Sequence, residues 1–388
     1  STNPCLRCVT IRNAPDASAD WMALTSLDRP TPTLAGDDTL PLLIVYTSGT
    51  TGLPKGAVHT QDAMMWNLVC STQCHDLVPS DHVLMSLPMF HVGGLCIQTL
   101  PALHAGARVT IQPRFDPGHW LTDVAARRPD ISLLVPATTR AVIEHPQFAS
   151  TDLSSLRVVN MGSSVVPTSH IEAFQARGVR CIQVYGATET GPVSIYLRRE
   201  HALTKVGSTG MPAVHVEVRL VDPIGRDVAR GAVGEIWLRG KNLMQGYWRD
   251  PENPSFRDGW FRTGDLARID EDGFYWIAGR SKDMIISGGE NIYPAEIENV
   301  LAESSDILEC AVVGIPDEKW GEVCVACVVK KPEAALDAAG VQALLTGRIA
   351  RYKLPRRVLF VDALPKTALG KVQKGELLKS IAARIKEA

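Results

Sequence analysis

The stretch YTSGTTGLPKG, Tyr46 to Gly56, packs three glycines, four serine or threonine hydroxyls and one lysine into eleven residues. Glycines leave backbone N–H groups unshielded and reach dihedrals closed to other residues. Successive N–H groups around a turn form a concave anion site. Thr47, Ser48, Thr50 and Thr51 add hydroxyl donors, and Lys55 adds a positive charge. The preceding apolar run LLIVY, Leu42 to Tyr46, reads as a buried strand. A strand feeding such a loop points to phosphate binding. The pattern is not that of a Walker loop, because Lys55 follows Pro54 and precedes Gly56 rather than Ser or Thr. Taken alone, the loop fits a flexible surface turn equally well.

Four further stretches follow in order: YGATETG (Tyr185–Gly191), WFRTGD (Trp260–Asp265), GRSKDMIISGGENIYPAEIE (Gly279–Glu298) and PKTALGK (Pro365–Lys371). With the loop, they make the chain from about Leu40 onward resemble the adenylate-forming superfamily. That group includes acyl- and aryl-CoA synthetases, firefly luciferase and peptide-synthetase adenylation domains. The wording KDMIISGGENIYPAEIE and PDEKWGE is most similar to fatty-acyl-CoA synthetases.

The resemblance implies two half-reactions at one site. A carboxylate attacks the α-phosphate of ATP to give acyl-AMP and pyrophosphate, and the thiol of coenzyme A then displaces AMP. It implies that Thr47, Ser48, Gly49, Thr50, Thr51, Gly52 and Lys55 cradle the phosphates. Tyr185 would stack on adenine in a slot lined by Gly162, Ser163, Ser164 and Gly186, and Thr188 would contact the AMP phosphate. Glu189 would be a hard oxygen ligand for Mg²⁺, which needs few protein ligands when ATP supplies the rest. Asp265 would take the ribose hydroxyls, supported by Arg280. Lys371 is the implied catalytic residue of the first step, offsetting the repulsion between carboxylate and α-phosphate. His91 would line the entrance to the acyl pocket, although a satisfied core histidine is the alternative. A hinge is expected at Lys282, with Ser287, Gly288 and Gly289 facing the pantetheine arm of coenzyme A in a second pose.

The substrate expected is a medium- or long-chain fatty acid. An aryl or dicarboxylic acid is the alternative within this class, and a nucleotide-binding homologue without full activity the alternative outside it. Amino-acid-activating relatives carry Asp after the Phe, whereas this chain has Phe90-His91. Two departures from the family pattern are visible. Only Ser1 to Tyr46 precede TSGTTG, where relatives have a longer segment, and GSSVVP (Gly162–Pro167) stands where many have Gly-Gly-Ala-Pro.

The elements that must position these residues are legible in the periodicity. RVTIQ, ISLLVP, LRVVNMG and RCIQVYG alternate with helical stretches such as His119–Arg128 and Pro167–Arg177, which implies helices packed on a sheet. From Val214 to 281 the strands are short and separated by turns. Residues 282–388 read as a small α+β unit, so a large α/β domain (1–281, with a β-rich part at 214–281) and a small mobile α+β lid domain are expected. HVGGLCIQTLPAL, His91 to Leu103, reads either as a pocket lining or as a buried helix.

Composition bounds the rest. A length of 388 residues favours more than one domain. A net charge of -2 argues against a nucleic-acid partner, and no run reaches the length of a membrane span. The partners expected are a small carboxylic acid, ATP and coenzyme A, in a cytoplasmic enzyme with a homodimer possible. The nine cysteines are odd in number and scattered, against a disulfide framework. Cys5/Cys8 and Cys324/Cys327 have C-x-x-C spacing. On a strand, however, positions three apart point to opposite faces, so buried free thiols are expected rather than a zinc site.

Overall fold

A seven-stranded sheet carries the site. Its strands are β3 (His82–Met85), β4 (Arg108–Ile111), β5 (Ile131–Leu134), β6 (Val158–Gly162), β7 (Arg180–Tyr185), β8 (Ile195–Tyr196) and β9 (Met211–Pro212), in spatial order β4-β3-β5-β6-β7-β8-β9. The pairs from β4 to β7 are parallel, and β8 and β9 are added antiparallel. β5 and β6 are buried along their whole length, as strands covered by helices on both faces must be. The structure is a computed structural model and describes residues 37–48, 54–163, 166–250, 253–367 and 370–387. Ser1–Leu40 and Pro41–Ala388 form separate units, and the second holds everything described below.

The helices start where local chemistry allows. α1 (Gln61–His75) opens at Thr60, whose hydroxyl accepts the Ala63 N–H at 3.1 Å, and closes at Asp76 in the left-handed conformation. Such a cap satisfies an N–H that has no partner within the helix. α2 runs from Val92 to His104 and contains a π-helical turn at Leu95–Thr99. The run around His91 is therefore a helix. α3 (Pro117–Arg127) is capped by Asp116 and buries Trp120, Leu121 and Val124 against the sheet. α4 (Pro136–Glu144) and α5 (Thr168–Gln175) complete the layers.

β1 (Pro41–Ser48) and β2 (Pro54–Thr60) form an antiparallel hairpin that pairs with β12 (Gly246–Tyr247). The buried strand expected at Leu42–Tyr46 is half right. Val45 is buried, but Leu42, Ile44 and Tyr46 are 56, 36 and 63% exposed. β1 is the edge of a three-stranded antiparallel sheet, so alternate side chains face opposite ways. β10 (Val216–Val221), β11 (Gly234–Gly240), β13 (Phe256–Arg257), β14 (Trp260–Ile269) and β15 (Tyr275–Arg280) make the β-rich sheet expected after Val214.

The C-terminal part is α+β. β16 (Ile285–Ser287), β17 (Glu290–Ile292), β18 (Ile307–Asp317), β19 (Gly321–Lys330) and β20 (Arg357–Phe360) form one sheet flanked by α6 (Pro294–Ala302), α7 (Ala338–Leu345) and α8 (Lys374–Glu387). Cys324 packs with Ile297 and Leu301 on one face of this sheet, and Cys327 with Leu377 and Ile381 on the other. Both are free thiols, as the period of two requires. No group of metal-holding residues occurs among the described residues, and Cys5 and Cys8 lie outside them. Among the described residues no helix is long and apolar enough to cross a membrane.

Candidate active site

β6 and β7 end side by side at Gly162 and Tyr185. These carboxyl ends are where open α/β sheets bind ligands. The Tyr185 hydroxyl donates to Asp265 Oδ2 at 2.9 Å. Burial, and then the Asp265 charge, push the Tyr185 pKa well up, so the phenol stays protonated. Asp265 lies on β14 directly opposite Arg280 on β15, and Arg280 Nε sits 2.8 Å from Asp265 Oδ1. The Thr263 hydroxyl accepts the Asp265 N–H at 3.0 Å, within the stretch of β14 where the pairing with β11 shifts register. Tyr185, Asp265 and Arg280 thus form one connected group.

The chain then passes Gly186. A Cβ there would lie 1.8 Å from the Pro192 carbonyl oxygen, so only glycine lets the two segments meet. The next turn, Thr188–Thr190, is held from two sides. His59 Nε2 donates to the Thr188 carbonyl at 2.7 Å, and the Met244 N–H donates to the Glu189 carbonyl at 2.9 Å. Asn242 Nδ2 donates to the Thr190 carbonyl at 2.6 Å. The Glu189 side chain takes a hydrogen bond from the Tyr247 hydroxyl at 2.8 Å on Oε1, and Thr47 Oγ1 lies 3.5 Å from the same oxygen. Thr47 and Lys55 are opposite each other in the hairpin register, and Lys55 therefore sits on β2 rather than in the loop. Its ammonium is 3.5 Å from Asp250 Oδ2 and 5.3 Å from the centre of the Tyr247 ring.

A divalent cation fits here through one carboxylate. Among the described residues no group of three or more His, Cys, Asp or Glu is placed to hold a metal ion, and among those same residues only Oε1 of Glu189 has a hydrogen-bond partner. That donor set suits Mg²⁺ held mainly by nucleotide oxygens and water.

Lys371 lies within electrostatic range of this group. It feels the charges of Arg280, Asp265, Asp283 and Lys282, and lost hydration followed by the Arg280 charge lowers its pKa. The residue still keeps a solvent-exposed surface. The two domains meet close by. Gly370 faces Ala137 at the start of α4, with only 3.2 Å between the Ala137 Cβ and the position of a Cβ on Gly370, and Lys331 Nζ is 3.8 Å from Glu144 Oε1.

The remaining residues fall into three groups. His91 is half-buried and caps α2, its Nδ1 accepting the Gly93 N–H at 3.0 Å. It is neither a core histidine nor joined to the cluster above. Ser163 has φ +74, a left-handed conformation that favours the glycine of relatives. Lys282 occupies a 3-10 turn at Ser281–Asp283. Ser287 closes β16, and Gly288 and Gly289 form a two-residue turn with φ +60 and +86. That is the geometry of a tight hairpin turn. A Cβ at Gly288 would meet the Trp320 ring at 2.7 Å, so the backbone there lies flat on the indole. Gly49, Thr50, Thr51, Gly52 and Ser164 lie outside the described residues, and Ser48 is described only as the end of β1.

His59, Asn242, Tyr247 and Asp250 complete the site but are not foreseen from the sequence. Each sits in a stretch whose local pattern is ordinary strand or turn; His59 and Asn242 bond the Thr188–Thr190 turn, and the pairing of β2 with β12 brings Tyr247 to β2.

Residues 3–248 match the AMP-binding enzyme family, and residues 296–371 match the AMP-binding enzyme C-terminal domain. The chain belongs to the AMP-binding enzyme family. Within that family it is 52% identical to the indoleacetate–CoA ligase of Aromatoleum aromaticum, over 88% of this chain and 68% of that protein. It is 43% identical to a feruloyl-CoA synthase of Amycolatopsis, over 86% and 69% respectively. The crystal structure of ATP-bound MatB from Rhodopseudomonas palustris superposes with a TM-score of 0.85 at 33% identity, covering 93% of this chain and 72% of that one. As an AMP-binding enzyme of this kind, the chain is an AMP-forming acid–thiol ligase.

Proposed function

We propose that this AMP-binding enzyme converts an aromatic carboxylic acid to its coenzyme A thioester. The observation that carries the substrate class is the 52% identity, over 88% of the chain, to a ligase named for indoleacetate. A feruloyl-CoA synthase at 43% supports it. This reading replaces the fatty acid expected from the wording of two motifs. Those motifs lie in the C-terminal part, away from the run around His91 expected to line the acid pocket.

In the first step an oxygen of the acid attacks the α-phosphorus of ATP and the bond to the β-phosphate oxygen breaks, releasing pyrophosphate. Tyr185 offers a ring face to adenine, and Asp265, held by Arg280, offers its remaining lone pairs to the ribose hydroxyls. Thr47 and Lys55 face the departing phosphates. Lys371 places a cation where negative charge accumulates, and a preorganised cation of this kind is usually a large catalytic contribution. A Mg²⁺ bound with ATP, with Glu189 as protein ligand, would neutralise phosphate charge.

In the second step the sulfur of coenzyme A attacks the acyl carbon, the carbon–oxygen bond to AMP breaks, and the thiol proton passes to solvent. A turn at Lys282 would move Lys371 out and bring Ser287–Gly289 in. The thin backbone of that turn admits a close approach by the pantetheine arm.

The test is the initial rate of thioester formation with a panel of arylacetic acids, cinnamic acids and saturated fatty acids. Aromatic acids are expected to give a kcat/KM at least about tenfold above any fatty acid, since one methylene group in an apolar pocket changes selectivity by about 10- to 200-fold. A preference for fatty acids would overturn the reading.

A further inference from the structure

We propose that Tyr247 is a positioning residue for the phosphate end of the site, setting Glu189 for a divalent cation and Lys55 for the departing phosphates. The proposal rests on the ATP-dependent reading above. Three observations support it.

First, Tyr247 is built into the hairpin that carries the loop. It lies opposite Ala57 on β2, with the Gln245 N–H donating to the Val58 carbonyl at 2.8 Å and the Trp248 N–H to the Gly56 carbonyl at 2.7 Å. Among the described strands β12 pairs with β2, which fastens this segment to the hairpin.

Second, its hydroxyl donates to Oε1 of Glu189 at 2.8 Å. With Oε1 held and the Glu189 backbone pinned by Met244, rotation of the carboxylate is restricted, and among the described residues Oε2 is the oxygen left for a cation. Partners behind a metal ligand fix its orientation, and their loss typically weakens metal binding about 10- to 100-fold.

Third, the ring of the same residue lies 5.3 Å from the Lys55 ammonium. Among the described residues Asp250 also lies near that ammonium, at 3.5 Å. A cation over an aromatic face is held weakly and without neutralising its charge. The ring thereby helps hold Lys55 at the start of β2 without adding a second counter-charge to that of Asp250. One side chain thus serves the two groups that must act on pyrophosphate together.

The experiment measures Mn²⁺ binding by electron paramagnetic resonance, on the full chain with a non-hydrolysable ATP analogue. The comparison is wild type, Tyr247→Phe, Glu189→Gln and the double variant. Tyr247→Phe is expected to weaken Mn²⁺ binding about tenfold. In the Glu189→Gln background the same change is expected to add less than about twofold, because contacting residues that act as a unit are not additive. In steady state, the Mg²⁺ concentration giving half-maximal adenylation should rise in parallel in Tyr247→Phe. At saturating Mg²⁺, kcat should return to near the wild-type value.

Unchanged Mn²⁺ binding in Tyr247→Phe overturns the proposal. So do additive losses in the double variant, or a fall in kcat that Mg²⁺ does not restore, since these are marks of a purely structural role. A wild-type chain that binds no Mn²⁺ with the nucleotide analogue overturns the ATP-dependent reading itself, and the proposal with it.

Discussion

The hydroxyl of Tyr185 and the carboxylate of Asp265 are joined by a 2.9 Å hydrogen bond, although the residues are eighty positions apart. One ends the parallel sheet and the other lies on a strand of the β-rich sheet. The bond ties the two sheets together at the point where base and sugar of a nucleotide would meet. Because Arg280 holds the other carboxylate oxygen, Asp265 is presented in one orientation. Tyr185→Phe keeps the ring and removes the donor. Its expected effects are a several-fold rise in the KM for ATP and a loss of about 1 kcal/mol of stability, the usual value of one such bond. ATP titrations and urea denaturation check both. An unchanged KM would mean that Asp265 needs no help from Tyr185.

Ser163 supplies a second expectation. Its φ of +74 is a conformation that costs a non-glycine residue of order 1–3 kcal/mol. Ser163→Gly should therefore raise stability by up to about 1 kcal/mol, once the greater freedom of glycine in the unfolded chain is subtracted. Denaturant midpoints of the two proteins give the answer. If the serine hydroxyl also contacts the acid, the KM for the acid will rise while stability improves.

How much of this was readable in advance depended on the range of the forces involved. The strand Cys324–Cys327 was legible because alternation along a strand is a local property, and its two thiols do face opposite cores. The helices at α3 and α5 were legible for the same reason. The expectation that Glu189, Asp265 and Lys371 serve one site rests on motif order, not on any local pattern. The exposure of Leu42, Ile44 and Tyr46 was missed, because an apolar run does not reveal whether its strand is central or on an edge. Tyr247 was missed because its role depends on pairing with a strand about 190 residues earlier.

His75 makes stability depend on pH. It is buried between Ser71 and Asn160, and burial lowers its pKa from 6.5 to about 4. A depressed histidine pKa means that the unfolded chain binds the proton first. Stability is therefore unaffected above pH 6.5 and falls as pH drops from 6.5 towards 4. The slope is about 1.4 kcal/mol per pH unit for this group. Denaturation of wild type and His75→Gln at pH 7, 6 and 5 should show the gap between them narrowing by about that amount per unit below 6.5. A constant gap would mean that His75 is protonated in the folded protein.

The central claim is that Lys371, within electrostatic range of Asp265 and Arg280 and next in sequence to Gly370, which approaches α4, serves the adenylating step alone. The most direct measurement compares the two half-reactions in wild type and Lys371→Ala. Pyrophosphate exchange into ATP, driven by an arylacetic acid, reports the first. Thioester formation from the supplied acyl-adenylate and coenzyme A reports the second. The expected result is loss of exchange by at least about a hundredfold, as for removal of one strong stabilising group in a transition state, with thioester formation within a few-fold of wild type. Equal loss of both half-reactions, or exchange that persists without the lysine, would contradict the account.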